Sequence, residues 1–101
     1  MKYFKLLQQN EKNVLESIQK QFNITLSDEY PADFQTIKEA LKKRWEELKD
    51  GDVSLEVLST FESQVKYMKD LDAVIKNAYD KHQKEIADHR SLIHDHFTNW
   101  V

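Results

Sequence analysis

Residues 54–100 read SLEVLSTFESQVKYMKDLDAVIKNAYDKHQKEIADHRSLIHDHFTNW. In this stretch apolar or semi-polar side chains recur at alternating steps of three and four residues. The series, called the heptad seam below, is Leu58, Phe61, Val65, Met68, Asp72, Ile75, Tyr79, His82, Ile86, His89, Ile93, His96 and Trp100. A repeat of 3.5 residues is typical of a helix that packs along one line. We therefore predict a helix over about 54–100, about 69 Å long if it is unbroken.

The first half of the chain predicts two shorter helices. Apolar residues at helical spacing favour one helix over about 3–22 and another over about 31–50, separated by a loop at 23–30. Pro31 suits the first position of the second helix, and Gly51 suits its end. With one proline and one glycine in the chain, strand-and-turn folds are disfavoured.

These elements predict an all-α fold, a small antiparallel bundle of three or four helices forming one domain over 1–101. The long helix is about twice the length of the other two, which leaves three arrangements open. It breaks near 70–72, where Asp72 places a carboxylate on the seam, and a fourth helix results. It stays whole with the first two helices laid end to end along it. Or its C-terminal half protrudes and pairs with another chain.

Composition argues against several classes of function. Fifteen Lys and Arg residues stand against 18 Asp and Glu, and the only basic run, at 42–44, is followed by Glu46 and Glu47. This balance disfavours nucleic-acid binding. Without cysteine there is no disulfide or thiolate site. We see no signal peptide and no apolar run long enough for a bilayer, so we expect a cytoplasmic protein that does not enter a membrane.

No catalytic motif is present. The chain has no glycine-rich phosphate loop, no GxSxG and no HExxH pattern. His94 and Asp95 are adjacent in sequence, so their side chains diverge by about 100° on a helix. We therefore expect no enzyme activity, no cofactor and no small-molecule substrate.

His82, His89 and His96 repeat every seven residues along the seam. Residues seven apart lie about 10.5 Å apart along a helix, so no two of them on one straight helix bind one metal ion. Imidazoles charge near pH 6.5, which would weaken packing at the seam in acid. A pH- or metal-responsive sensor is therefore the alternative function. The simpler interpretation is that these histidines lie partly exposed at the edge of the bundle and have no further role.

Large side chains cluster at the C-terminal end of the chain. They mark a candidate interaction surface formed by His89, His94, His96, Phe97 and Trp100. In size and organisation the chain resembles the small, acidic, cysteine-free helical proteins that act as bacteriocin immunity factors, phage-encoded inhibitors or secretion chaperones. The resemblance implies a protein-binding module that acts as an inhibitor, immunity factor or adaptor by occupying a partner's surface. We also expect self-association.

Overall fold

The computed structural model describes residues 1–100, and for Trp100 only its place in the backbone; Val101 lies outside the described residues. A short 3-10 turn at Phe4–Leu6 precedes α1 (Gln9–Phe22), α2 (Ala32–Lys49) and α3 (Leu55–Trp100). The described residues thus form three α-helices and no strand, which confirms the predicted all-α class.

The longest helix, α3, is continuous over its 46 residues, so the arrangement with a break at 70–72 and a fourth helix, one of the three left open, does not occur. The break was expected because Asp72 would be a lone carboxylate on a packed seam. Instead, the Tyr30 hydroxyl donates a hydrogen bond of 2.9 Å to Asp72 Oδ1, and Lys38 Nζ lies 3.5 Å from its Oδ2. A carboxylate with a hydrogen bond and a cation costs far less to bury than a lone one.

The first helix begins later than the predicted 3–22. The backbone N–H groups of Tyr3 and Phe4 donate to Asp28 Oδ1 at 2.9 and 2.8 Å, so a carboxylate from the following loop binds them. Leu7 then adopts an extended backbone. A capping box between Gln8 and Glu11 starts α1 at Gln9, and the Gln8 N–H donates to Glu11 Oε1 at 2.7 Å.

Asp33, in the first turn of α2, is buried and organises the loop before it. Its carboxylate accepts hydrogen bonds from the Tyr3 hydroxyl at 2.7 Å, from the Ser27 N–H and hydroxyl, and from the Glu29 N–H. Burial by itself would raise the pKa of Asp33, but these hydrogen bonds together lower it below its ordinary value. Asp33 thus connects the N-terminal turn and the loop before α2 to the first turn of α2.

The second helix runs Ala32–Lys49, within the predicted 31–50. Gly51 follows it, but no glycine has a positive φ, so Gly51 is not the left-handed cap that the sequence suggests. A Cβ at this position would lie 3.2 Å from the carbonyl oxygen of Glu47. Any larger residue at position 51 would crowd the last turn of α2, which favours glycine there.

All three helices contribute to one core. Its buried members are Leu15 and Ile18 from α1, Phe34, Ile37 and Leu41 from α2, and Met68, Leu71 and Ile75 from α3, joined by Tyr3, Leu7, Leu26 and Tyr30. Tyr79 packs at its edge, with its ring 5.4 Å from that of Tyr30. Tyr79 is the last residue of α3 that packs against this core among the described side chains.

The molecule is elongated, with extents of 71 × 28 × 20 Å. Its radius of gyration is 18.9 Å, against about 13 Å for a compact domain of this length. The excess comes from α3, which alone spans about 69 Å, while α1 and α2 span about 21 and 27 Å.

Candidate protein-interaction surface

The C-terminal part of α3 projects beyond the core. From residue 80 to residue 99 every side chain is exposed except that of Ile86, which is partly buried. Residues 80–100 make about six helical turns, or about 30 Å of helix. The structure therefore shows the projecting C-terminal half of the third arrangement left open by the sequence, and its pairing with another chain stays a prediction.

The projecting part carries the same face as the part that builds the core. Eighteen residues make five helical turns, so residues 18 apart lie one above the other. Ile86, His89, Ile93 and Phe97 thus stand directly along the axis from Met68, Leu71, Ile75 and Tyr79, which lie in or against the core. The core face of α3 continues for about 30 Å past the end of the core. Below, the projecting seam means His82, Ile86, His89, Ile93 and His96 with the flanking Leu92 and Phe97.

The apolar side chains of the projecting seam remain accessible to water. Leu92, Ile93 and Phe97 are 52%, 51% and 63% exposed. For comparison, Ile75, five turns before Ile93, is 1% exposed. Large apolar side chains lined up on one exposed face are typical of a surface that another protein covers.

The seam histidines alternate with these apolar residues. His82, His89 and His96 are exposed, and their seven-residue spacing keeps them about 10.5 Å apart along the axis. The structure therefore does not gather the predicted pH switch into one cluster. It places the three imidazoles on the same face as Ile86 and Ile93.

The remaining predicted interaction residues lie at the same end. His94 is exposed and borders a shallow depression with Arg90, Ile93, Phe97 and Thr98. The side chain of Trp100 lies outside the described part of the chain. Of the five predicted residues, the structure thus brings His94 and Phe97 together beside Ile93 and spreads His89 and His96 along the neighbouring face.

The described residues offer neither a metal site nor a membrane-spanning helix. They contain no group of three His, Asp or Glu side chains arranged to hold a metal ion. Nor does any described helix combine the length and hydropathy that a bilayer crossing requires.

The structure also has a second exposed apolar surface, which the sequence does not predict. It is lined by Trp45 of α2 and by Leu58, Phe61 and Val65 of α3. Trp45 is 46% exposed and stacks on Phe61, with ring centroids 6.1 Å apart. The spacing of the seam residues contains a signal for this surface. The seam has two lines of residues at seven-residue spacing: Met68 and Ile75 lie on the buried line, whereas Leu58, Val65 and Asp72 lie on the neighbouring, less buried line.

No protein-family model, curated protein or solved structure matches the chain.

Proposed function

We propose that the protein is a non-enzymatic protein-binding module whose binding surface is the projecting seam of α3. On this proposal it acts as an inhibitor, immunity factor or adaptor, by occupying the surface of another protein. The observation that carries the proposal is the continuation of the core face for about 30 Å beyond Tyr79, with nothing from α1 or α2 covering the described side chains there.

A helix that is surrounded by water on all sides does not need an apolar stripe along one face. Solvated helices are stable with charged and polar residues on all sides when neighbouring pairs support them. Fully burying one Leu, Ile or Phe side chain contributes about 1.5 to 3 kcal/mol. Since Leu92, Ile93 and Phe97 are each about half exposed, covering them contributes roughly 3 kcal/mol, which favours binding.

Photo-crosslinking tests the proposal. A photo-reactive amino acid is placed at Ile93, on the seam, and in a second protein at Ser91, which lies about 200° away around the helix. In extract of the cells that produce the protein, the probe at position 93 is expected to yield a defined protein adduct that the probe at position 91 does not. The seam adduct should also disappear when Leu92 is replaced by Glu. Equal labelling from both positions, or none from position 93, would contradict the proposal.

The alternative function, a pH-responsive sensor, uses the same surface. It is favoured by the alternation of His82, His89 and His96 with Ile86 and Ile93 on one face. Charging these imidazoles would place cations in a packed interface and so weaken the binding of the protein that covers the seam. This role requires that an interface forms there, so it is tested below through the stability of that interface in acid.

A further inference from the structure

We propose that the projecting seam is covered by the projecting seam of a second copy of this chain, in an antiparallel pair whose two-fold axis crosses the seam face at the level of residue 91. This inference rests on the proposed function, because it takes the seam to be a protein-binding surface. It adds an occupant, the second copy, and the direction in which that copy lies. A partner protein that binds the same seam would have to displace this copy.

Continuity with the core is the first argument. From Met68 to Tyr79 the seam face packs against the core that α1, α2 and the loop between them form with it. Beyond Tyr79 the same face presents Ile86, Ile93 and Phe97 at the same angular positions. The surface is thus shaped to receive another helix along its axis. The projecting half of a second copy supplies such a helix, with a matching length and a matching apolar stripe.

The position of α1 and α2 decides the direction of the pair. These helices lie on the seam side of α3. In a parallel, in-register pair, the α1 and α2 layer of each copy would occupy the space of the other copy's α3. In an antiparallel pair, each layer lies beyond the end of the other copy's helix. Only the antiparallel direction therefore allows both seams to be covered along their length.

The register of the antiparallel pair follows from the point on α3 where the core ends, at Tyr79. In heptad packing of antiparallel helices, the two alternating seam positions face one another. One register places position 100 opposite Ile75, which is 1% exposed because the core already covers it. Shifting by one heptad places position 100 opposite His82, just beyond Tyr79. This is the longest overlap that the core permits.

In that register each layer pairs an apolar position with a histidine. Ile86 faces His96 of the second copy, and Ile93 faces His89. Leu92 lies beside its own counterpart near the two-fold axis on one flank, and Arg90 lies near its counterpart on the other. The apolar contacts favour association, whereas the two arginines oppose it. We expect a dimer with a dissociation constant in the micromolar range.

Sedimentation equilibrium tests for the dimer. Over about 5 to 500 µM, which brackets micromolar affinity, the wild type is expected to shift from monomer to dimer. Ile93→Glu should remain monomeric, while Ser91→Glu, which adds the same charge on the opposite face, should dimerise as the wild type does. Circular dichroism checks that both variants keep their helix content. A wild type that is monomeric throughout, or a dimer that persists in Ile93→Glu, would overturn the proposal.

Engineered cysteines test direction and register, and the chain has no native cysteine to interfere. Leu92→Cys is expected to form a disulfide with its counterpart on oxidation. Glu85→Cys should not crosslink with itself but should crosslink when mixed with Asn99→Cys, because these positions face each other in the proposed register. A Glu85→Cys protein that crosslinks with itself would indicate a parallel pair and overturn the inference.

Arg90 gives an independent test of register. Arg90→Gln removes a like-charge contact at the two-fold axis and should tighten the dimer about two-fold, the scale of an exposed charge pair. A weaker dimer in this variant would contradict the register.

If the wild type is monomeric but the probe at position 93 still captures a different protein, the second-copy inference fails and the proposed function stands. If both the dimer and the adduct are absent, both fail.

Discussion

At the scale of single residues, two carboxylates determine how the chain closes. Asp33 accepts hydrogen bonds from Tyr3 and Ser27, at sequence separations of 30 and 6. Asp72 accepts one from Tyr30, 42 residues away. Each carboxylate joins segments that are distant in sequence, so these contacts fix the start of α2 and hold α3 against it.

The Asp33 contacts predict acid-sensitive stability. Because the pKa of Asp33 is lowered in the folded state, its contribution is fully present above the pKa of about 3.9 that an unfolded aspartate has. It is lost as the pH falls through the folded pKa. Asp33→Asn should therefore lower the free energy of unfolding by about 3 kcal/mol at pH 7, since it weakens several hydrogen bonds to a charge.

Urea denaturation at pH 7 and pH 3 measures this effect, with exposed Asp70→Asn as the control. The difference in stability between wild type and Asp33→Asn is expected to shrink at pH 3, while Asp70→Asn stays close to the wild type at both values. An unchanged difference at pH 3 would show that the cost of Asp33→Asn does not come from the lost charge.

Tyr30 predicts a smaller effect. Burial raises the pKa of Tyr30, and the neighbouring Asp72 carboxylate raises it further, so the phenol stays protonated and donates. Tyr30→Phe should lower the free energy of unfolding by about 1 kcal/mol. Tyr67→Phe is the control, because Tyr67 packs partly buried against the same core and no hydrogen bond of its hydroxyl is seen among the described residues. Equal losses in the two variants would contradict the Tyr30–Asp72 contact.

At the scale of elements, α3 has two halves that differ in what stabilises them. Core contacts support the first half, whereas the second half has few of them among its described residues. A glycine should therefore act differently in each half. In dilute protein, Ala73→Gly is expected to lower the free energy of global unfolding by about 1 kcal/mol. Ala87→Gly should leave global unfolding unchanged and speed amide exchange in residues 80–100.

Both alanines are exposed, which makes the two variants a matched pair. Thermal unfolding and amide hydrogen exchange measure the two effects. A loss of global stability in Ala87→Gly equal to that in Ala73→Gly would mean that the projecting half unfolds together with the core.

The sequence predicts the elements better than it predicts their ends. The unbroken heptad spacing between Leu58 and Trp100 is enough to predict α3. Its continuity through Asp72 is not predictable, because the group that binds the carboxylate is Tyr30 in another element. The late start of α1 has the same cause, since the Asp28 carboxylate that binds Tyr3 is 25 residues away. Local pattern carries no information about such long-range contacts.

The candidate surface was predictable in part for a similar reason. The spacing of His89, His96, Phe97 and Trp100 indicates a face at the end of the chain, because periodicity is local. Which part of that face stays uncovered depends on where α1 and α2 end against α3. That boundary, at Tyr79, required the structure.

At the scale of the whole molecule, the seam histidines predict that acid weakens the dimer. In the antiparallel pair His89 and His96 face isoleucines, and the charged groups bordering the seam are Glu85 and Arg90 of each copy. Protonating an imidazole beside an apolar side chain is unfavourable, so lowering the pH from 7.5 to 5.5 should raise the dissociation constant about tenfold. Sedimentation equilibrium at both values measures the change.

The variant with Gln at positions 82, 89 and 96 separates the two functions. If the protein is a sensor, this variant should dimerise equally well at pH 7.5 and pH 5.5, while the wild type responds to pH. If the protein is a binding module without a switch, the thermal stability of the wild type and of the variant should be nearly the same at both values. A wild-type dimer with the same dissociation constant at pH 7.5 and pH 5.5 would contradict the sensor hypothesis.

The most direct test of the antiparallel seam is the maximum dimension of the protein in solution, measured by small-angle X-ray scattering at high concentration. One molecule is 71 Å long. Two molecules overlapping along about 30 Å of projecting helix should span about 110 Å, with the mass of a dimer. A maximum dimension near 71 Å would contradict the antiparallel pair, whether it came with the mass of a monomer or of a side-by-side dimer.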